Sequence, residues 1–239
     1  STRTSVGVYK NADVVCTVSG CFTEFVKEKC GAYKKVFTIR PMISLREADI
    51  CEDRVYNIPS VFNILYLGRV TKDKGLEELI HAINNIDKNF NFVLKIVGTG
   101  EFLEELKFLS NSFDLTRIQF EGAEYSRDKI RNYYLNADVF VLPSHHEGFP
   151  RTLYEAMVFG VPIITTIVGG IPFIMKDGYN CKAIIPKSEE SIVDALTFAF
   201  ENYTEMGRMA RNGTLTVKGV LGSKRLSHAM ELHHHITAR

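Results

Sequence analysis

The sequence predicts an α/β protein built on a doubly wound parallel sheet, with a small β-α-β unit ahead of it. Three observations lead there. From Phe62 onward, short runs rich in Val, Ile, Leu and Phe alternate with longer stretches of helical period, the pattern of a parallel sheet covered by helices. In "LEELIHAI", Leu76, Leu79, Ile80 and Ile83 fall at helical spacing, one stripe to bury against a sheet. The 239 residues, 45% hydrophobic and 24% charged, suffice for one sizeable core.

The elements follow in order. Within residues 1–44, "ADVVCTVS" reads as a strand, "CFTEFVKEKCG" as a helix and "KKVFTIRP" as a strand, a unit too short to close a sheet of its own. Residues 45–61, mixed in charge and with little period, read as a linker. Six strands are then expected over 63–70, 92–98, 117–122, 139–143, 162–166 and 182–186, within a domain spanning 62–202. Helices fill the gaps at 73–86, 100–111, 126–137 and 151–160, and a last one covers 188–203. Residues 203–239 look helical in pieces broken by Gly213, Gly219 and Gly222.

The net charge of +1, from 29 basic and 28 acidic residues, provides no long-range field for nucleic acid or an anionic surface. An anionic ligand would need a local site. Five scattered cysteines show no metal or redox spacing, so a reducing, cytoplasmic setting is expected. No apolar run approaches the ~20 residues of a membrane span.

Open parallel sheets bind ligands at the carboxyl ends of their strands. Four stretches lie there. In "LPSHHEGFPRTLYEAMVFG", Pro143 stops a strand, Ser144 to Phe149 form a loop, and Pro150 suits a first helical turn, leaving the amides from Gly148 to Thr152 to cradle a phosphate. Glu147 and Glu155 stand eight positions apart, and Thr152 with Glu155 matches the S/T-x-x-E capping box. By spacing alone, Glu155 is a backbone cap and Glu147 a solvated loop acid. In "GRVTKDKG", Gly68 permits close approach and Arg69 and Lys74 bring two cations to strand-end level, a candidate diphosphate site. In "VGTGEF", Gly98 and Gly100 make an incomplete dinucleotide fingerprint, with Leu103 where a third glycine belongs, so they read as room for a ring or a backbone, or as a tight turn. In "VGGIP", Gly169 and Gly170 leave space after the fifth strand of the long domain or form a plain turn. His145 and His146 are adjacent and cannot chelate as an i, i+4 pair, and His233 to His235 read as a solvated run, so no metal site is expected.

Taken in order and spacing, "GRVTKDKG", "VGTGEF" and "ADVFVLPSHHEGFPRTLYEAMVFGVPIITTIVGGIPFIMKDGYN" resemble the donor-binding domain of the retaining GT-B glycosyltransferases that carry an E-x7-E motif, over about residues 63–202. The resemblance implies sugar transfer from a nucleotide-sugar donor, with a UDP-sugar favoured, to a glycan or lipid-linked acceptor, without a metal or other cofactor. Such a role fits polysaccharide biosynthesis by a cytoplasmic protein, with peripheral association at the inner membrane face. It assigns Arg69 and Lys74 to the diphosphate, Glu147 to the donor sugar and Glu155 to the ribose hydroxyls. Gly148, Phe149 and Thr152 match the backbone-contact stretch, and Gly98 and Gly100 the loop beside the nucleobase. Phe173 stands where an acid is common and Cys181 where a glycine is frequent.

Residues 1–44 resemble only the last β-α-β stretch of that family's acceptor domain, and the chain opens on "STRTS". The expectation is a donor-binding fragment, inactive alone. The contrasting readings are a non-catalytic nucleotide-sugar-binding module, against which the four intact charged positions argue, and a sugar-nucleotide epimerase, which gives no reason for the E-x7-E spacing.

Overall fold

The computed structural model describes residues 12, 14–17, 20–30, 35–38, 45, 47–86, 89–113, 116–148 and 150–221. The leading unit contains β1 (Val14–Thr17), α1 (Gly20–Cys30) and β2 (Lys35–Thr38), with the two strands parallel. Val15 and Val26 form a small core there, separate from the main one.

The main sheet has six parallel strands: β3 (Phe62–Leu67), β4 (Phe92–Val97), β5 (Ile118–Gly122), β6 (Val139–Leu142), β7 (Ile163–Thr166) and β8 (Lys182–Ile184). Their order is β5-β4-β3-β6-β7-β8. The chain winds outward from β3 to β5, returns to pair β6 with β3, and winds the other way. The winding reverses between β3 and β6, and the carboxyl ends of these two strands are where an open parallel sheet has its ligand crevice.

The helices are α2 (Leu76–Asn85), α3 (Leu103–Ser112), α4 (Arg127–Asn136), α5 (Arg151–Val158), α6 (Glu189–Glu201) and α7 (Tyr203–Leu221). The stripe predicted for α2 is buried at Leu76, Leu79, Ile80 and Ile83. Ser188 caps α6 by accepting the Ser191 amide at 3.1 Å. The helix expected from residue 73 starts at Leu76, because residues 72–74 make a single 3-10 turn and Gly75 breaks it with φ 67°. A Cβ at Gly75 would lie 2.1 Å from the Pro143 carbonyl oxygen, so only glycine lets these two loops cross.

Two expectations change. The stretch read as a linker takes one 3-10 turn, Glu47–Asp49, and then packs against the long domain. The Arg54 guanidinium reaches the carbonyls of Tyr134 at 3.2 Å, Phe159 at 3.3 Å and Ala137, satisfying the ends of α4 and α5 together. Beside it, the Cys51 amide donates to Val158 at 2.8 Å and the Tyr56 hydroxyl to Gly160 at 2.9 Å.

Nor do Gly213 and Gly219 break the last helix, which runs unbroken from Tyr203 to Leu221; Gly222 lies outside the described residues. Glycine inside a helix costs about 1 kcal/mol relative to alanine. Close packing offsets that cost where it matters: a Cβ at Gly207 would meet the Tyr56 ring at 2.4 Å, and one at Gly213 would press on Met157 at 3.1 Å.

Candidate functional site

The crevice is furnished by the loops after β3 and β6. Lys74 closes the 3-10 turn beyond β3, and its Nζ lies 2.8 Å from Glu147 Oε1, with the two side chains 9% and 11% exposed. The fully buried Ser144 donates its hydroxyl to the same oxygen at 2.7 Å. Among the described residues, Glu147 Oε2 has no hydrogen-bond partner. The Glu147 carbonyl accepts the Gly170 amide at 3.1 Å. Gly169, at φ 57°, presses so close that a Cβ there would lie 1.7 Å from that carbonyl oxygen. Glu147 is thus fixed by its side chain from the β3 loop and by its backbone from the β7 loop.

Further bonds stitch the two loops. Asp73 accepts the Thr71 hydroxyl, which holds its carboxyl below the ordinary value, and lies 3.5 Å from Lys74 Nζ. Its backbone carbonyl takes the His145 amide at 2.8 Å, while His145 Nε2 meets Glu78 Oε1 at 2.8 Å. His145 is therefore engaged with the first turn of α2. Among the described residues no group of three or more His, Cys, Asp or Glu side chains comes together.

Arg69 stands on the same loop, exposed and without an ion pair among the described residues. Its backbone carbonyl receives the buried Tyr66 hydroxyl at 2.5 Å. Burial, then the nearby Glu147 charge, pushes the Tyr66 phenol up, so it stays a neutral donor.

Helix α5 begins directly after the β6 loop that carries Glu147. Pro150 occupies the N-cap at φ −75°, one residue before the first turn, and no side chain caps the helix. The first amides, including those of Arg151 and Thr152, have no intrahelical partner by construction and favour an anion. Gly148 is exposed, and a Cβ there would meet nothing within 4 Å. Phe149 lies outside the described residues.

The capping box expected from Thr152 and Glu155 does not form. With Pro150 at the N-cap, Thr152 is already the second helical residue, and its hydroxyl is misplaced for capping. Glu155 Oε2 instead accepts the Tyr134 hydroxyl at 2.8 Å. Burial pushes the Glu155 carboxyl up, opposed by this hydrogen bond and by the Arg151 charge.

Gly98 and Gly100 serve close packing of backbones. Cβ atoms there would lie 1.8 Å from the Gly68 carbonyl oxygen and 2.0 Å from that of Val70, so the β4 loop nests under the β3 loop. Gly68 itself fits against the Tyr66 hydroxyl, 3.1 Å from an added Cβ.

Phe173 is 59% exposed on a 3-10 turn after Gly170. Cys181 is buried beneath the turn of Asp177 to Asn180; burial, then Asp177, pushes its thiol up to about 12. Sequence reasoning missed Ser144, Asp73, Gly75 and Tyr134. Only the position of Ser144 at a strand end signalled its use.

Among the described residues, these loops and the start of α5 bring Arg69 without an ion pair, Lys74 paired to Glu147, an uncapped helix start, and Glu147 and Glu155 with one carboxylate oxygen each engaged. Such a set suits an anion flanked by hydroxyl groups.

Comparison with known proteins places the chain in a family. The chain is 35% identical over 130 residues to an uncharacterised glycosyltransferase of Methanocaldococcus jannaschii, covering 54% of this chain and 33% of that protein. It is also 35% identical over 143 residues to the capsular polysaccharide biosynthesis glycosyltransferase CapM of Staphylococcus aureus, covering 56% and 37%. The matched stretch thus spans about a third of these curated relatives. Among solved structures, HepE of Anabaena in complex with UDP-glucose superposes with a TM-score of 0.83 at 18% identity, covering 97% of this chain and 66% of that one. Residues 54–216 match the family described as glycosyl transferases group 1, and to that family, on a GT-B fold, the chain belongs.

Proposed function

We propose that this chain is the donor-binding part of a retaining glycosyltransferase that takes a sugar from a nucleotide-sugar, with a UDP-sugar favoured, and passes it to a glycan or lipid-linked acceptor in polysaccharide assembly. The observation that carries the proposal is the Lys74–Glu147 pair set at the switch between β3 and β6. Breaking the bond between the anomeric carbon and the diphosphate leaves charge on the departing nucleoside diphosphate. Fixed cations and helix amides stabilise that charge without reorganising. Arg69 and Lys74 supply the cations, and Gly148 and Thr152 supply backbone contacts at the start of α5. Glu147 turns Oε2 toward the donor sugar's hydroxyls, and Glu155 takes the ribose. The acids then have separate tasks, unlike the paired carboxyls that flank a glycosidic bond in a hydrolase.

The 239 residues match only part of their relatives' length, so acceptor binding and turnover are assigned to the rest of the family's two-domain architecture, and this chain alone binds donor without transfer. The resemblance assigns no cofactor, and no metal is invoked. CapM, named for capsular polysaccharide biosynthesis, and HepE, solved with UDP-glucose, support the substrate class.

Thermal melting with UDP-, GDP- and ADP-glucose tests the reading. A ligand at a hundred times its Kd adds about 2.7 kcal/mol, which raises the Tm by roughly 5–10 °C in a chain of this size. Glu155→Ala and Arg69→Ala should remove most of that rise. Absence of stabilisation by every nucleotide, in a chain that melts cooperatively, would defeat the proposal.

A further inference from the structure

Tyr134 lies in the last turn of α4, fully buried, with its ring 5.5 Å from Phe159 and 5.7 Å from Phe140. Phenylalanine would fill that space equally well. The hydroxyl nonetheless crosses between α4 and α5 to Glu155 Oε2 at 2.8 Å, with the Thr152 carbonyl a longer 3.4 Å away. A phenol has one proton to give, and the shorter, charge-assisted bond to the carboxylate takes it. The main chain of Tyr134 is held as firmly, since its carbonyl accepts Arg54 at 3.2 Å and the Ala137 amide at 3.2 Å.

A glutamate has three side-chain torsions to fix, and fixing them costs entropy. Tying one oxygen to a rigid, buried phenol removes that freedom before a ligand arrives. Among the described residues Glu155 Oε1 has no hydrogen-bond partner, and no buried side-chain oxygen or nitrogen is left unsatisfied, so Oε1 reaches solvent. We propose that Tyr134 is a positioning residue of the nucleotide site, which holds Glu155 by Oε2 so that Oε1 is presented as the acceptor for ribose hydroxyls. This rests on the reading of Glu155 as a ribose contact. Arg54 extends the chain of support, because it anchors the backbone that carries the phenol.

The test compares binding of UDP and 2′,3′-dideoxy-UDP to the native chain and to Tyr134→Phe, at fixed pH and salt. The native chain should prefer UDP by about tenfold or more, since a hydrogen bond to a charged acceptor is lost with the hydroxyls. In Tyr134→Phe that preference should fall to within about threefold, with affinity for the dideoxy ligand unchanged. The acid limb of UDP binding should also move to higher pH. Burial already pushes Glu155 up, and the variant leaves only Arg151 to oppose it.

Each other result counts against a stated claim. If the native chain fails to discriminate, the ribose reading of Glu155 falls, and Tyr134 loses its role with it. If the native chain discriminates and Tyr134→Phe does so equally, the positioning role alone is overturned. Equal loss of both ligands with a lowered Tm would assign the hydroxyl to folding and overturn it too.

Discussion

Lys74 and Glu147 neutralise each other where neither is well hydrated, and this makes them a stability element as well as a candidate site. Removing one member of a buried pair leaves the other charge uncompensated, whereas replacing both is far milder. Lys74→Ala should therefore lower the unfolding free energy by about 3 kcal/mol. Lys74→Met combined with Glu147→Gln should regain most of it, measured by urea denaturation. A single variant as stable as the native chain would mean that Glu147 is solvated in solution. The double variant should still fail to bind a nucleotide-sugar, which separates folding from function. Ser144 limits how far Glu147 can relax in either case, since its hydroxyl shares Oε1.

At the level of elements, the glycines around the crevice divide by what they touch. Gly169 is compressed against the Glu147 carbonyl at positive φ, while Gly148 has empty space where a side chain would go. Gly169→Ala should cost about 1–3 kcal/mol, through a strained backbone. Gly148→Ala should stay within about 0.5 kcal/mol of the native chain yet weaken donor binding, because its methyl would enter the mouth of α5. Melting and binding measured side by side check both; equal stability losses would mean that Gly148 packs against something. Helix α5 also shows where sequence legibility ends. Its period and position were readable, since Leu153, Ala156 and Met157 are buried at helical spacing. The partner of Glu155 was not. The S/T-x-x-E pattern is a local signal that assumes Thr152 at the cap, and Pro150 takes that place. The competing hydroxyl arrives from Tyr134 on another helix, 21 residues earlier, and leaves no mark in the local pattern.

Across the whole molecule, alternating apolar and periodic segments were enough to predict the parallel sheet, because a strand buried on both faces and a helix buried on one differ in pattern at every turn. Strand order places the β3 and β6 loops side by side, and Lys74 of one pairs with Glu147 of the other. The segment 50–61 was illegible for the opposite reason. Its anchor Arg54 reaches backbone carbonyls at sequence separations of 80, 83 and 105 residues, which any residue type can offer. Tyr56 nevertheless belongs to the same continuous core that ends at Leu221, so this strap and the sheet should unfold as one unit. Arg54→Ala strips the ends of α4 and α5 of a shared donor and should cost about 2–3 kcal/mol, seen as a Tm lower by roughly 5–10 °C in a single transition. A melting point unchanged within about 1 °C would return the segment to the status of a linker. Because Arg54 also anchors the Tyr134 carbonyl, the same variant should weaken UDP binding below the melting range.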